Sequence, residues 1–499
     1  MKTRMITLAA FAATALLCAC QKENTPASEE NGLTFTVSLD DFAKTTLGSD
    51  GKVLWEAGDE ISINGKIYRT STGGSSTATF TAVSDDAVAN AEGKAYTAFY
   101  PASIANMKMP NVQISGGISN APMYAESDGT ELSFSNLCGI IELRIKGAKT
   151  VKNILLSSSN STFSGAFTLG EIEGVKAAVT GTSKNGVVLD CGEGVALTEE
   201  GTVFRIAAPA GTYKNLRILV TATDESTYLV TSSSDIVVNR SHIKPVAVNA
   251  SSFSPLELSG VFTVNASGKK VKFSRGLMYW EGLQDKFCVE PNQYFSIPAE
   301  LDGASGNGWA GYQGGIHLSF FPWTSNVANA KTKYYYAPSS TSETFFAYNG
   351  GAIEGWTILS ADEWEYLMTK RTVNGGTGKG KAFRGNKDSR ISVSGSSFSG
   401  IFIYPDNYTG TYNEGTWDKV HAAGIVYLPA CGTSGSNHTV QGNGYVSGLK
   451  GRFMYQSPSI THSDKYYTKT FNYDGTNVTF SDKDAGNGCS VRLVKVVQE

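Results

Sequence analysis

Leu33-Thr34-Phe35-Thr36-Val37-Ser38-Leu39 is the stretch that decides the fold. Apolar residues alternate with Thr and Ser along the whole run. A period of two sets one face against a core and the other toward water, so the run reads as a half-buried strand. The same pattern recurs outward from it. Ser49-Asp50-Gly51 precedes Val53-Leu54-Trp55, Gly58-Asp59 precedes Ile61-Ser62-Ile63, and residues 96–100 form an apolar run before Pro101. Past residue 136, Ile141, Leu143 and Ile145 alternate with Glu142, Arg144 and Lys146. Residues 151–156 read as another strand, and Leu216, Ile218 and Val220 alternate with polar neighbours. No helical period interrupts this up to residue 249. Short, regularly punctuated strands predict two tandem β-sandwich domains, residues 33–135 and 136–250, each of roughly 100 residues.

Residues 251–255, Ser-Ser-Phe-Ser-Pro, read as a linker, and the third region, 256–499, changes character. It holds six of the seven Trp residues. Phe262 and Val264, a polar turn, then Val271 and Phe273 predict a hairpin. Ser360-Ala361-Asp362-Glu363 carries the spacing of a capping box, with Ser360 at the N-cap and Glu363 at N3. Trp364, Leu367 and Met368 would then share one helix face. The fold class expected is therefore mainly β, with two β-sandwiches followed by an α+β domain.

The chain has 499 residues, enough for about three domains. Charged residues are 17%, below the roughly 25% usual for soluble domains, whereas Gly numbers 54, Tyr 23 and Phe 24. This suits β-rich, turn-rich extracellular domains. The net charge of -3, with Lys and Arg scattered, excludes a nucleic-acid surface.

The first residues carry an address. Lys2 and Arg4 precede an apolar core, and Leu17-Cys18-Ala19-Cys20 closes it. Basic start, short apolar core and small-residue cleavage site make a secretory signal, and the core is too short for a stable membrane span. The last four residues resemble a bacterial lipobox, which implies acylation of Cys20 and a membrane partner through two lipid chains. Residues 1–20 are then a lipoprotein signal peptide and 21–32 a polar, flexible tether. Five cysteines remain, Cys138, Cys191, Cys288, Cys431 and Cys489, without metal-ligand spacing. Cys431 with Cys489 is one example of a pairing among them.

Two family resemblances follow from quoted residues. Thr45-Thr46-Leu47, Trp55-Glu56-Ala57-Gly58-Asp59-Glu60-Ile61, Phe134-Ser135-Asn136-Leu137-Cys138-Gly139, Val151-Lys152-Asn153-Ile154 with Phe163-Ser164-Gly165, and Ala208-Pro209-Ala210-Gly211-Thr212-Tyr213 stand in this order. Residues 33–249 thereby resemble the fimbrillin-like pilins and surface lipoproteins of the Bacteroidales. In the third region, Val271-Lys272-Phe273-Ser274-Arg275-Gly276, residues 355–364, residues 423–432 and Gly488-Cys489-Ser490-Val491-Arg492-Leu493-Val494 resemble the major-paralogous domain of Bacteroidetes and Fibrobacter surface proteins. That domain is related to the C-type-lectin-like fold. Gly444-Tyr445-Val446-Ser447-Gly448 stands where it usually has Tyr-Trp-Ser-Ser.

The five His are scattered, and His242 reads as surface. Glu363 is explained by its capping role. Arg492, in a strand-like run, reads as a structural ion-pair partner. Glu290-Pro291-Asn292 matches the calcium-binding triplet of sugar-binding lectins, yet it falls early in the domain, before the helix, and reads as a turn. No catalytic triad, nucleophilic Cys–His pair or phosphate loop stands out, so an enzyme is not expected, nor any cofactor or metal. The candidate ligand-binding residues are aromatics in Gly/Ser/Asn-rich segments: Trp309, Tyr312, Trp323, Tyr404, Tyr408 and Trp417, with Tyr334, Tyr335, Tyr336 and Tyr412 in similar surroundings. Flat rings beside polar amides stack on sugars or peptides, but equally serve as core.

The resemblances imply a surface-exposed outer-membrane lipoprotein, acting as an adhesin and an accessory or tip subunit of a fimbria. Its partners would be other fimbrillin subunits, by strand exchange at residues 33–39, and a glycan or host surface protein at the third region. The alternative is a non-polymerising glycan-binding lipoprotein.

Overall fold

The computed structural model describes residues 33–39, 46–47, 53–84, 95–115, 121–293 except 173 and 285, 317–318, 355–386, 392–393, 396–397, 400–410, 416–429, 455–460, 467–473, 478–484 and 491–498. Residues 1–32, where a signal peptide, the acylated Cys20 and a tether are expected, lie outside these. Among the described residues, no helix is long and apolar enough to cross a membrane.

Strand Phe35–Leu39 forms as its alternation predicts, with Phe35 and Val37 fully buried. The unit it opens is not the expected sandwich. Seven strands close into a barrel in the order Phe35–Leu39, Glu131–Asn136, Met123–Ser127, Tyr96–Tyr100, Glu60–Ile63, Lys66–Arg69 and Thr77–Ala82. The first strand makes the closure, running parallel to Glu131–Asn136 and antiparallel to Thr77–Ala82. Alternation fixes which face of a strand is inward but not what pairs with its edges, and closure removes both edges at once. Trp55 fills the centre, edge-to-face with Phe80, Tyr100 and Phe134 at 5.0, 5.3 and 6.0 Å. Geometry of this kind adds to area burial.

The second unit packs two sheets face to face. One holds Thr202–Ala208, Gly139–Lys146 and Ile243–Asn249 in that order. The other runs Thr227–Thr231, Arg217–Ala222, Thr150–Ser157, Gly186–Ala196 and Val112–Ile114. Ile141, Leu143, Ile145, Leu216, Ile218 and Val220 all point into the space between, as their spacing predicted. The last strand of the second sheet comes from the first unit. After the turn Ala102–Asn106 the chain crosses over, Lys108–Met109 pairs with Ser164–Ile172, and Val112–Ile114 adds in parallel beside Gly186–Ala196. An apolar cluster that includes Phe99, Ile104, Met109, Leu137 and Phe167 seals this crossing.

Residues 251–255 are tied down. Thr227 and Ser254 exchange backbone hydrogen bonds of 2.9 and 2.7 Å, and Phe253 lies against Tyr228. Beyond them the long strand Lys270–Glu281 organises the third region, pairing with Phe262–Thr263, Lys286–Val289, His317–Leu318 and Arg492–Val496. The predicted hairpin is present, with Phe262 opposite Val271. The predicted helix spans Ala361–Glu365 and continues as a wider turn over Tyr366–Lys370. Its capping box is complete: Glu363 N donates to Ser360 Oγ at 3.2 Å and Ser360 N donates to Glu363 Oε2 at 2.9 Å. Trp364, Leu367 and Met368 are buried in the core with Phe273, Ile401 and Val494. A second short helix, Trp417–Ala422, follows Thr416, whose Oγ1 accepts from Lys419 N. Leu283 packs with Val188, Val112 and Leu155, joining the third region to the outer face of the five-stranded sheet.

Candidate functional site

Two sites come forward, one of backbone edges and one of rings. The first is the seat of strand Phe35–Leu39. Its register sets Phe35 opposite Phe80 and Val37 between Ala78 and Leu132. Thr36 N donates to Thr130 O at 3.0 Å and Leu39 N to Ser76 O at 3.1 Å. Phe35 meets Tyr68 and Tyr96 edge-to-face at 5.1 and 4.9 Å, and Leu33 and Leu39 are half-buried against the same core. Lifting this strand out would leave two unpaired edges and an apolar groove. Such an edge is a template for another strand.

The second site is the aromatic set. Trp309, Tyr312, Trp323, Tyr412 and residues 334–336 lie outside the described residues. Tyr404, Tyr408 and Trp417 come together around one apolar cluster with Val420, Ile425 and Tyr427. Tyr404 is fully buried, which corrects its reading as a contact residue: its ring faces protein, stacked on Tyr408 at 4.7 Å. It directly follows strand Gly400–Ile403, whose own residues are all buried, so the chain carries it inward. Tyr408 and Trp417 are half-buried and keep some solvent face. Trp417 meets Tyr427 edge-to-face at 5.1 Å.

Beneath the rings lies a polar core that sequence reasoning did not assemble. Arg492 is 1% exposed. Its Nη2 donates to Arg275 O at 2.7 Å and Gln293 Oε1 at 3.1 Å, and its Nη1 to Tyr427 O at 3.3 Å. Its role is structural, as expected, but these partners are carbonyls rather than a carboxylate. Gln293 Nε2 donates to Ile425 O, and Tyr427 N donates to Gln293 Oε1 at 2.6 Å. Arg275 Nε donates to Pro255 O, and its Nη1 lies 3.4 Å from His421 Nδ1. Burial, with Arg275 and Arg492 nearby, pushes His421 down to about 4. The only sequence signal for Gln293 was its place just after Glu290-Pro291-Asn292. Single polar residues announce no partner until the fold supplies one.

Glu290 is 2% exposed and packed against Gly276, and burial holds its carboxyl well above the usual range. Among the described residues no group of three or more His, Cys, Asp and Glu is placed to hold a metal. His242 is exposed, as expected. Cys138, Cys191 and Cys288 are free thiols, while Cys431 and Cys489 lie outside the described residues.

No family model matches the sequence, and no curated protein matches it. Among solved structures, the chain is similar to a proposed cell adhesion protein of Bacteroides ovatus, with 16% identity, TM-score 0.30, and coverage of 45% of this chain and 95% of that one. A fimbrial protein of the same species covers 94% of this chain and 99% of its own at 10% identity and TM-score 0.22. The tip fimbrial protein Mfa3 of Porphyromonas gingivalis, truncated at its C-terminus, covers 40% and 80% at 11% identity and TM-score 0.16. These neighbours are cell adhesion and fimbrial proteins, and scores this low carry no argument for a shared mechanism.

Proposed function

We propose that the chain is a surface adhesin, an accessory or tip subunit of a fimbria. It accepts a neighbour's strand at its first barrel and presents its third region to a glycan or host protein. The observation that carries this is the seat of Phe35–Leu39: one short strand, near the N-terminal end, closes the barrel with both of its edges. Strand Arg492–Val496 is held on both edges, by residues 271–277 on one side and on the other by Thr357, which exchanges backbone bonds of 2.8 and 2.7 Å with Val494. A strand so held is not readily exchanged, in contrast to the short first strand. Acylated Cys20 would hold the chain at the outer membrane; among the described residues Tyr408 and Trp417 keep partly exposed rings for a ligand, and Trp309, Tyr312 and Trp323 remain candidates as well.

The test compares the intact chain with one lacking residues 21–44 for capture of a partner pilin's C-terminal strand peptide. Capture by the shortened chain alone is expected, because the tethered strand is present at high effective concentration. Equal capture by both, or none, favours the non-polymerising glycan-binding lipoprotein. That reading has its own motive: residues 40–54 contain no Arg, and Lys44 and Lys52 are their only basic residues. Arg-directed removal of the first strand would find no site there.

A further inference from the structure

The seat of the first strand is uneven, and the unevenness specifies what fits it. At the Phe35 position the walls are rings. Tyr68 and Tyr96 meet Phe35 with interplanar angles of 87° and 82°, and its cross-strand neighbour is Phe80. Two residues on, Val37 faces Ala78 across one ladder and Leu132 across the other. The seat is thus wide and aromatic at one subsite and narrow and aliphatic at the next. Both side chains are fully buried, so neither volume can vary freely. Moving a strand by one residue turns its apolar face outward. Moving it by two would set the bulky ring against Ala78 and Leu132. Aromatic pairs at this geometry add to the area term, so Tyr68 and Tyr96 discriminate a ring from an aliphatic chain of similar size.

Resting on the strand-acceptor reading, we propose that the barrel selects a partner strand of the form aromatic-x-β-branched. That strand runs parallel to Glu131–Asn136, its ring between Tyr68 and Tyr96 and its β-branched residue beside Ala78. The subsite fixes both the register and the identity of the accepted strand.

The experiment keeps the chain otherwise full-length. A protease recognition sequence is introduced between Leu39 and Thr46, the protein is folded, and it is then cleaved. Labelled heptapeptides are exchanged against the first strand: the native sequence of residues 33–39, and versions with the Phe replaced by Leu or Ala, or the Val by Phe. The Phe→Leu peptide is expected to bind about tenfold more weakly than the native one, from loss of the ring pairs alone. The Phe→Ala peptide is expected to bind roughly 100-fold more weakly, since the burial is lost as well. The Val→Phe peptide should fail by overpacking. In the Tyr68→Leu/Tyr96→Leu chain the Phe-over-Leu preference should vanish while the Leu peptide still binds. If the native peptide does not exchange at all, the strand-acceptor reading falls, and this one with it. If all four bind alike, or the preference survives in the double variant, the subsite proposal is overturned and acceptance stands.

Discussion

Gln113 is the residue whose loss should tell most about how the first two units hold together. It sits on Val112–Ile114, the strand that leaves the barrel to join the five-stranded sheet. Its backbone lies opposite Leu189 on one sheet of the second unit, while its side chain reaches the other. There Nε2 donates to Ala207 O at 2.9 Å and Oε1 accepts from Ala207 N at 2.8 Å. The amide thus imitates a further strand along the edge of Thr202–Ala208, and at 2% exposure no water replaces it. Gln113→Leu keeps the volume and removes both bonds. The orphaned N–H and C=O cost about 1–3 kcal/mol each. The apolar replacement returns part of this, so a net loss of about 2–4 kcal/mol is expected. Urea unfolding of the full chain reads the loss, and hydrogen exchange at the Ala207 amide reads its location. Gln113→Glu supplies a second, signed readout. A protonated acid can still donate to Ala207 O, whereas a carboxylate opposes it. The folded-state pKa of that acid is therefore raised, and the variant should lose stability as pH rises from about 4 toward neutrality. An unchanged midpoint and unchanged Ala207 exchange in Gln113→Leu would refute the clamp.

Two further outcomes are expected. His421, held down to about 4 chiefly by burial and then by Arg275 and Arg492, binds a proton more readily unfolded than folded. Stability should therefore be fully present above about pH 6.5 and decline as pH falls toward 4, with His421→Gln flattening that slope in thermal unfolding. Cys20→Ala should abolish labelling by radioactive fatty acid and release the protein from the membrane fraction, and labelling that persists in the variant would sink the lipid anchor.

What the sequence made legible was local. The inward faces of Phe35–Leu39 and Gly139–Lys146 follow from a period of two that depends on nothing distant. The Ser360–Glu363 box spans three residues and closes as read. What stayed hidden depends on partners far along the chain. Phe35–Leu39 pairs in parallel with Glu131–Asn136, almost a hundred positions on, and no alternation announces that closure. The crossing strand Val112–Ile114 has three residues, too short for any period, and it exists through its parallel pairing with Val188–Asp190, more than seventy positions on. Trp417–Ala422 is barely more than a turn and owes its helix to the Thr416 cap. Tyr404 looks like Tyr408 from composition, four residues away in a similar setting, and only the path of Gly400–Ile403 sends one ring inward and leaves the other at the rim.

Strands Phe35–Leu39 and Arg492–Val496 are held in place in different ways. Phe35–Leu39 is anchored by its inward side chains and its ladders, with alternate residues Thr36 exposed and Ser38 half-exposed, so its binding is carried by groups any strand of like pattern could supply. Arg492–Val496 adds what a foreign strand could not easily supply. Its buried guanidinium spans Arg275, Gln293 and Tyr427, three elements at once, and Leu493 and Val494 are buried beside it. Withdrawing that strand would leave the carbonyls of Arg275 and Tyr427 without this donor inside the third region, a cost added to its lost ladders. The first strand can be replaced by imitation; the last is bound by a side chain specific to its position. The two strands therefore differ in what a foreign strand would have to reproduce: a pattern of inward side chains in one case, and a buried guanidinium with its carbonyl partners in the other.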